Sequence, residues 1–134
     1  MSSGRAMRRL QIGERTFLWR VSHRHRVRGD DEVERCAEVF RAYEDGCRRG
    51  PLELAFAEGD GRGAGYPQSG EVWQRGGGGA RSLDLHRPRM ARAIIELALQ
   101  RGWAPAERAL LVDGWEWFDA LEREMNEVPG GAAT

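Results

Sequence analysis

Apolar and polar positions alternate from Arg15 to Ser22, with Phe17, Trp19 and Val21 on one side and Leu18, Arg20 and Ser22 on the other. A period of two with aromatic and β-branched residues predicts a strand. The Gly13-Glu14 turn signal before it makes Arg8–Ser22 a β-hairpin. Leu52, Leu54 and Phe56 repeat the alternation and predict a strand over Pro51–Ala57. Shorter strands are predicted at Glu71–Gln74, Arg81–Leu85 and Ala109–Val112. The segment Glu32–Tyr43 fits two periods. Val33, Cys36, Ala37, Phe40 and Tyr43 fall at helical spacing in a Glu-, Ala- and Arg-rich stretch, which favours a helix, while Cys36–Tyr43 also alternates.

The clearest element starts at Pro88, a residue suited to the first helical position. Met90, Ala91, Ile94, Ile95, Ala98 and Leu99 form one apolar face, Arg89, Arg92, Glu96 and Gln100 the opposite one, and Gly102 ends the helix. Asp113 with Glu116 three residues on resembles a capping box. It predicts a second helix carrying Trp115, Phe118, Leu121 and Met125 inward. Four glycines at Gly76–Gly79 predict a loose hairpin loop, because a strand and not a helix follows them. The expected fold is α+β: a single-layer antiparallel sheet of about five strands packed by one or two C-terminal helices. Residues 1–134 are expected to form one domain, with 1–7 and 129–134 expected as disordered ends.

Composition narrows the function classes. The 134 residues carry 21 basic and 21 acidic side chains, which excludes a supercharged nucleic-acid coat or a polybasic membrane binder as a description of the whole chain. All the basic residues are arginines, so Schiff-base chemistry and a P-loop lysine are excluded. The balance hides an asymmetry: the first 28 residues are strongly basic and the stretch from Glu107 onward is acidic. There is no run of 18 apolar residues and no apolar leader segment, so no membrane association and a cytoplasmic location are expected. Cys36 and Cys47 have neither zinc-ribbon nor redox spacing and are expected as thiols.

The stretches 12–21, IGERTFLWRV, and 83–105, LDLHRPRMARAIIELALQRGWAP, resemble a loose group of small bacterial proteins. In that group an N-terminal strand with an aromatic-x-Val end is followed, after a variable middle, by a strand–Pro–helix–GW–Pro pattern. The likeness covers about a third of the chain. It implies fold kinship and a bacterial source, and it transfers no catalytic residue.

Three constellations can carry chemistry. His23 and His25 lie two apart and would share one side of an extended strand; with His86 they could hold a metal, although Arg24, Arg26 and Arg28 disfavour a cation there. His86, Arg87 and Arg89 begin the best helix, where backbone N–H groups and the macrodipole favour an anion. Trp117 cannot share the inward face with Trp115, about 200° away on an α-helix. An outward indole beside Glu116 and Glu124 is an expected contact for another protein or a second copy. No nucleophile elbow or phosphate-binding motif is present, and no cofactor is expected. The leading expectation is a non-catalytic protein-interaction domain of immunity, antitoxin or adaptor type. The alternatives are a nucleic-acid-binding module using the Arg-rich residues 5–28, with Arg20, Arg24, Arg26 and Arg28 at its centre, and a small His-dependent metal or hydrolytic protein.

Overall fold

The structure is a computed structural model and describes residues 7–26, 35–65, 69–76 and 78–126. Among these residues eight strands occur in chain order: β1 (Arg8–Ile12), β2 (Arg15–Arg26), β3 (Arg35–Glu44), β4 (Cys47–Ala57), β5 (Arg62–Ala64), β6 (Glu71–Gly76), β7 (Gly79–Asp84) and β8 (Leu110–Asp113). Helix α1 (Pro88–Gln100) precedes β8, and helix α2 (Phe118–Asn126) follows a 3-10 turn at Gly114–Trp117. The larger sheet has the order β1-β2-β3-β4-β8 and the smaller one β5-β6-β7. The first four strands run antiparallel; β8 pairs parallel with β4. The architecture is α+β, a five-stranded, mostly antiparallel sheet with a second small sheet and two C-terminal helices.

One face of the larger sheet supplies Phe17, Trp19, Val21, Phe40, Ala42, Leu52, Leu54 and Phe56 to the core. Helix α1 meets them with Met90, Ala91, Ala93, Ile94, Ile95 and Ala98, the stripe its sequence predicts except that Ala93 is buried and Leu99 only partly so. Burying such a stripe is the main source of a helix's stability in a folded chain. The helix ends in a Schellman motif. Trp103 N–H donates to the Ala98 carbonyl at 2.9 Å and Gly102 N–H to the Leu99 carbonyl at 3.3 Å. Gly102 takes φ 106°, a conformation a side chain disfavours. Trp103 then turns inward, tilts against Phe17 and donates its indole N–H to the Gly50 carbonyl at 2.7 Å.

Two expectations are corrected here. The favoured helix over Glu32–Tyr43 is a strand within the described residues, β3; residues 32–34 lie outside them. Pairing with β2 on one side and β4 on the other lets Phe40 and Ala42 face the core while Val39, Arg41 and Tyr43 face away. That tertiary gain overrides the helix propensity of Glu, Ala and Arg. The predicted strands at Glu71–Gln74 and Arg81–Leu85 do form, as β6 and β7, but in the smaller sheet. The free edge of β4 is taken by β8. Val72, Leu83 and Leu85 still bury their side chains in the common core.

Candidate functional site

The larger sheet is two-faced. The core cluster takes its sheet residues from one face alone, and no residue of the opposite, outer face belongs to it. Register fixes what the outer face carries. Arg20 lies opposite Arg41, Arg41 opposite Glu53, and Glu53 opposite Leu111, so these four form one row across β2, β3, β4 and β8. Ser22, Val39, Ala55 and Asp113 form the next row, and Arg24, Ala37 and Ala57 the one after. Leu18 and Tyr43 sit opposite each other on the other side of Arg20.

Glu53 is the hub of this face. Arg41 Nη1 reaches its Oε1 at 2.7 Å and Arg24 Nη1 its Oε2 at 3.0 Å. Arg41 also donates from Nε to the Tyr43 hydroxyl at 3.3 Å, and the guanidiniums of Arg41 and Arg48 both pack on the Tyr43 ring. Arg20 is different. Its Nε is sealed from solvent and has no hydrogen-bond partner. Leu111 is the only large hydrophobic side chain that is strongly exposed among the described residues, at 68%.

On the core face a second arrangement joins the two sheets. Glu38 is fully buried and is the only buried charged residue among those described. Its Oε1 lies 2.8 Å from His23 Nδ1, on the residue directly opposite in β2. Its Oε2 accepts the Gly70 N–H at 2.9 Å. A buried carboxylate needs such partners, since leaving it unpaired costs several kcal/mol, of the order of 3–5. Gly70 has φ 83°, and a Cβ there would run into the ring of His86. Glycine is therefore required both by the backbone angle and by the close approach.

The expected contact residues Glu116, Trp117 and Glu124 are placed differently from the sequence reading. Trp117 is 6% exposed and belongs to the core, with the Arg101 guanidinium 5.3 Å from its ring centre. The cause is the 3-10 turn. Asp113 caps this turn through the Trp115 N–H, and the α-helix begins only at Phe118. At about 120° per residue, Trp115 and Trp117 are about 120° apart the short way, less than the roughly 160° of an α-helix. Trp117 then falls four residues before the buried Leu121, on the same inward stripe. Glu116 and Glu124 are exposed, with no indole beside them in solvent.

At the start of α1, the His86 N–H donates to Asp84 Oδ1 at 3.0 Å, so the chain supplies its own carboxylate beside that helix end. Arg8 donates to the His86 carbonyl at 2.8 Å, and Arg87 and Arg89 are exposed. Of the metal candidates, His23 pairs with Glu38 and His86 packs at Gly70; the side chain of His25 lies outside the described residues. Among the described residues no three of His, Cys, Asp and Glu gather as a metal site. Of the arginines proposed for nucleic acid, Arg20 and Arg24 share the outer face. Arg28 and the side chain of Arg26 lie outside the described residues. Cys36 and Cys47 are thiols at opposite ends of the β3–β4 hairpin, roughly 27 Å apart at 3.4 Å per residue, too far for a disulfide. No helix among the described residues is long and apolar enough to cross a membrane.

Among the described residues Arg9 pairs with Asp45, Arg15 with Glu44 and Arg24 with Glu53. The carboxylates of α2 pair instead with Arg81, through Asp119 at 3.2 Å and Glu122 at 2.6 Å. The sequence reading missed Glu38, Arg41, Tyr43, Glu53 and Leu111. Strand parity in Leu52–Phe56 signals that Glu53 points away from the core, but its partners depend on register. No protein-family model, no curated protein and no solved structure matches the chain.

Proposed function

We propose that the chain is a non-catalytic protein-interaction domain, of immunity, antitoxin or adaptor type, that holds its partner on the outer face of the five-stranded sheet. The observation that carries this reading is the one-sidedness of the core. An entire sheet face lies outside it and bears Arg20, Arg24 and Arg41 around the single carboxylate hub of Glu53. Arginine is enriched where proteins meet, and a guanidinium offers a planar fork to a partner's carboxylate. The partner is therefore an acidic protein surface. The nucleic-acid alternative draws on the same Arg20 and Arg24. Against it stands the Tyr43 ring, the aromatic of that face, which two guanidiniums already cover and so close to base stacking.

The test is affinity capture from the native host with three baits. The wild-type chain and a Glu116→Arg, Glu124→Arg variant retain the same partner, and an Arg20→Glu, Arg41→Glu variant that melts like wild type loses it. Retention by the sheet-face variant overturns the reading. Sedimentation of the pure chain identifies the case in which the partner is a second copy.

A further inference from the structure

Arg20 and Arg41 stand directly opposite each other on neighbouring strands. Like charges in that position repel. Arg41 is compensated by Glu53 and Tyr43. Arg20 is not: no carboxylate among the described residues pairs with it, and its Nε is shut off from water with no acceptor. A donor that is desolvated and unmatched is a standing cost to the fold. It is also an opportunity for a ligand, because part of the desolvation that binding normally requires has already happened in the unbound chain. In the same row, three strand spacings away, stands the exposed Leu111. At about 4.8 Å per spacing the two are about 14 Å apart.

Resting on the sheet-face reading above, we infer that Arg20 is the receptor for one carboxylate of an acidic protein segment and that Leu111 receives an apolar side chain of the same segment. The spacing fits an extended chain. Residues i and i+4 of such a chain point to one side and lie about 14 Å apart, at about 3.4 Å per residue. The recognised pattern is thus an Asp or Glu four residues from a Leu, Val or Phe, with a small polar residue midway above Arg41 and Glu53. A nucleic-acid backbone supplies the anion but has no apolar group for Leu111.

The probe is a Ser/Thr-rich peptide carrying one Glu and, four residues on, one Leu. It is titrated into the isotope-labelled full chain, and the spectra follow the backbone amides of Arg20, Arg41 and Leu111 and the Arg20 Nε–H. The expected result is saturable shifts at all four positions. Binding becomes about tenfold weaker in Arg20→Gln and in Arg20→Lys, which keeps the charge and loses the fork. It becomes a few-fold weaker in Leu111→Ala, and ten times weaker or more when the peptide's Glu is Gln. Melting curves check that each variant is folded. An equal response to the Gln peptide or to inorganic phosphate, tighter binding of an oligothymidylate, or no response at all overturns the inference. Shifts across the outer face that are indifferent to Arg20→Gln also overturn it while leaving the sheet-face reading standing; that reading fails separately, when the Arg20→Glu, Arg41→Glu bait keeps its partner.

Discussion

Arg24 and Glu53 are joined by a 3.0 Å ion pair that runs diagonally from β2 to β4 over the intervening strand. Beneath the crossing lies Val39, only 1% exposed although it sits on the outer face and outside the core cluster.

Glu53→Gln therefore affects more than one pair, since it releases both Arg24 and Arg41. Exposed pairs contribute up to about 1 kcal/mol each. The expected loss of stability is up to about 2 kcal/mol in a denaturant titration, combined with tighter binding of acidic peptides, because the hub carboxylate no longer competes. Unchanged stability with weaker peptide binding would contradict the hub role of Glu53.

Trp117→Ala should destabilise the isolated chain by about 3–5 kcal/mol, the range for removing a large aromatic from a core. Chemical denaturation of the monomer measures it. A loss under about 1 kcal/mol would mean that the indole is not packed.

Glu38→Ala should leave His23 and the Gly70 N–H without their shared acceptor, at a cost of about 3–5 kcal/mol. Gly70→Ala attacks the same junction from the other side, through its positive φ and the His86 ring. Hydrogen exchange should show faster exchange concentrated in β5–β7 for both variants. Faster exchange confined to β1 would refute a junction role.

Arg15 grips Glu44 with two hydrogen bonds, Nε at 3.0 Å and Nη2 at 2.9 Å, and these hold the Glu44 carboxyl below its ordinary range. A depressed carboxylate adds stability above its unfolded pKa, about 4.3, and that contribution disappears as pH falls through the lower folded value. Both side chains are partly in solvent, so the contribution is below about 1 kcal/mol. Arg15→Gln should flatten the decline in melting temperature between about pH 4.5 and pH 3. A decline identical to that of wild type would show that the pair contributes nothing.

What the sequence reveals depends on how local the determining chemistry is. Helix α1 was legible end to end because Pro88 marks its start, Gly102 its end, and the stripe between them depends on nothing outside. The β3 segment was not, because its strand identity comes from β2 and β4 flanking it. Trp117 reads as outward for a related reason: nothing in the letters around Asp113 distinguishes a 3-10 turn from the first turn of an α-helix. On the outer face, alternation already sends Arg20, Arg24 and Glu53 to one side of their strands. That Arg24 and Arg41 meet at Glu53, and that Arg20 is left out, is decided by cross-strand register.

The parallel pairing of β8 with β4 imposes an order on biosynthesis. The partner of Leu52 is Leu110, about sixty residues later in the chain. At about 5–20 residues per second the ribosome takes several seconds to deliver it. During that interval β1–β4 can pair as successive hairpins, while one border of β4 and the apolar side chains of Leu52, Leu54 and Phe56 await α1 and β8. The nascent chain is thus most vulnerable to aggregation before its last quarter has emerged, and a truncation just before β8 should behave as a chaperone client and not as a smaller soluble domain.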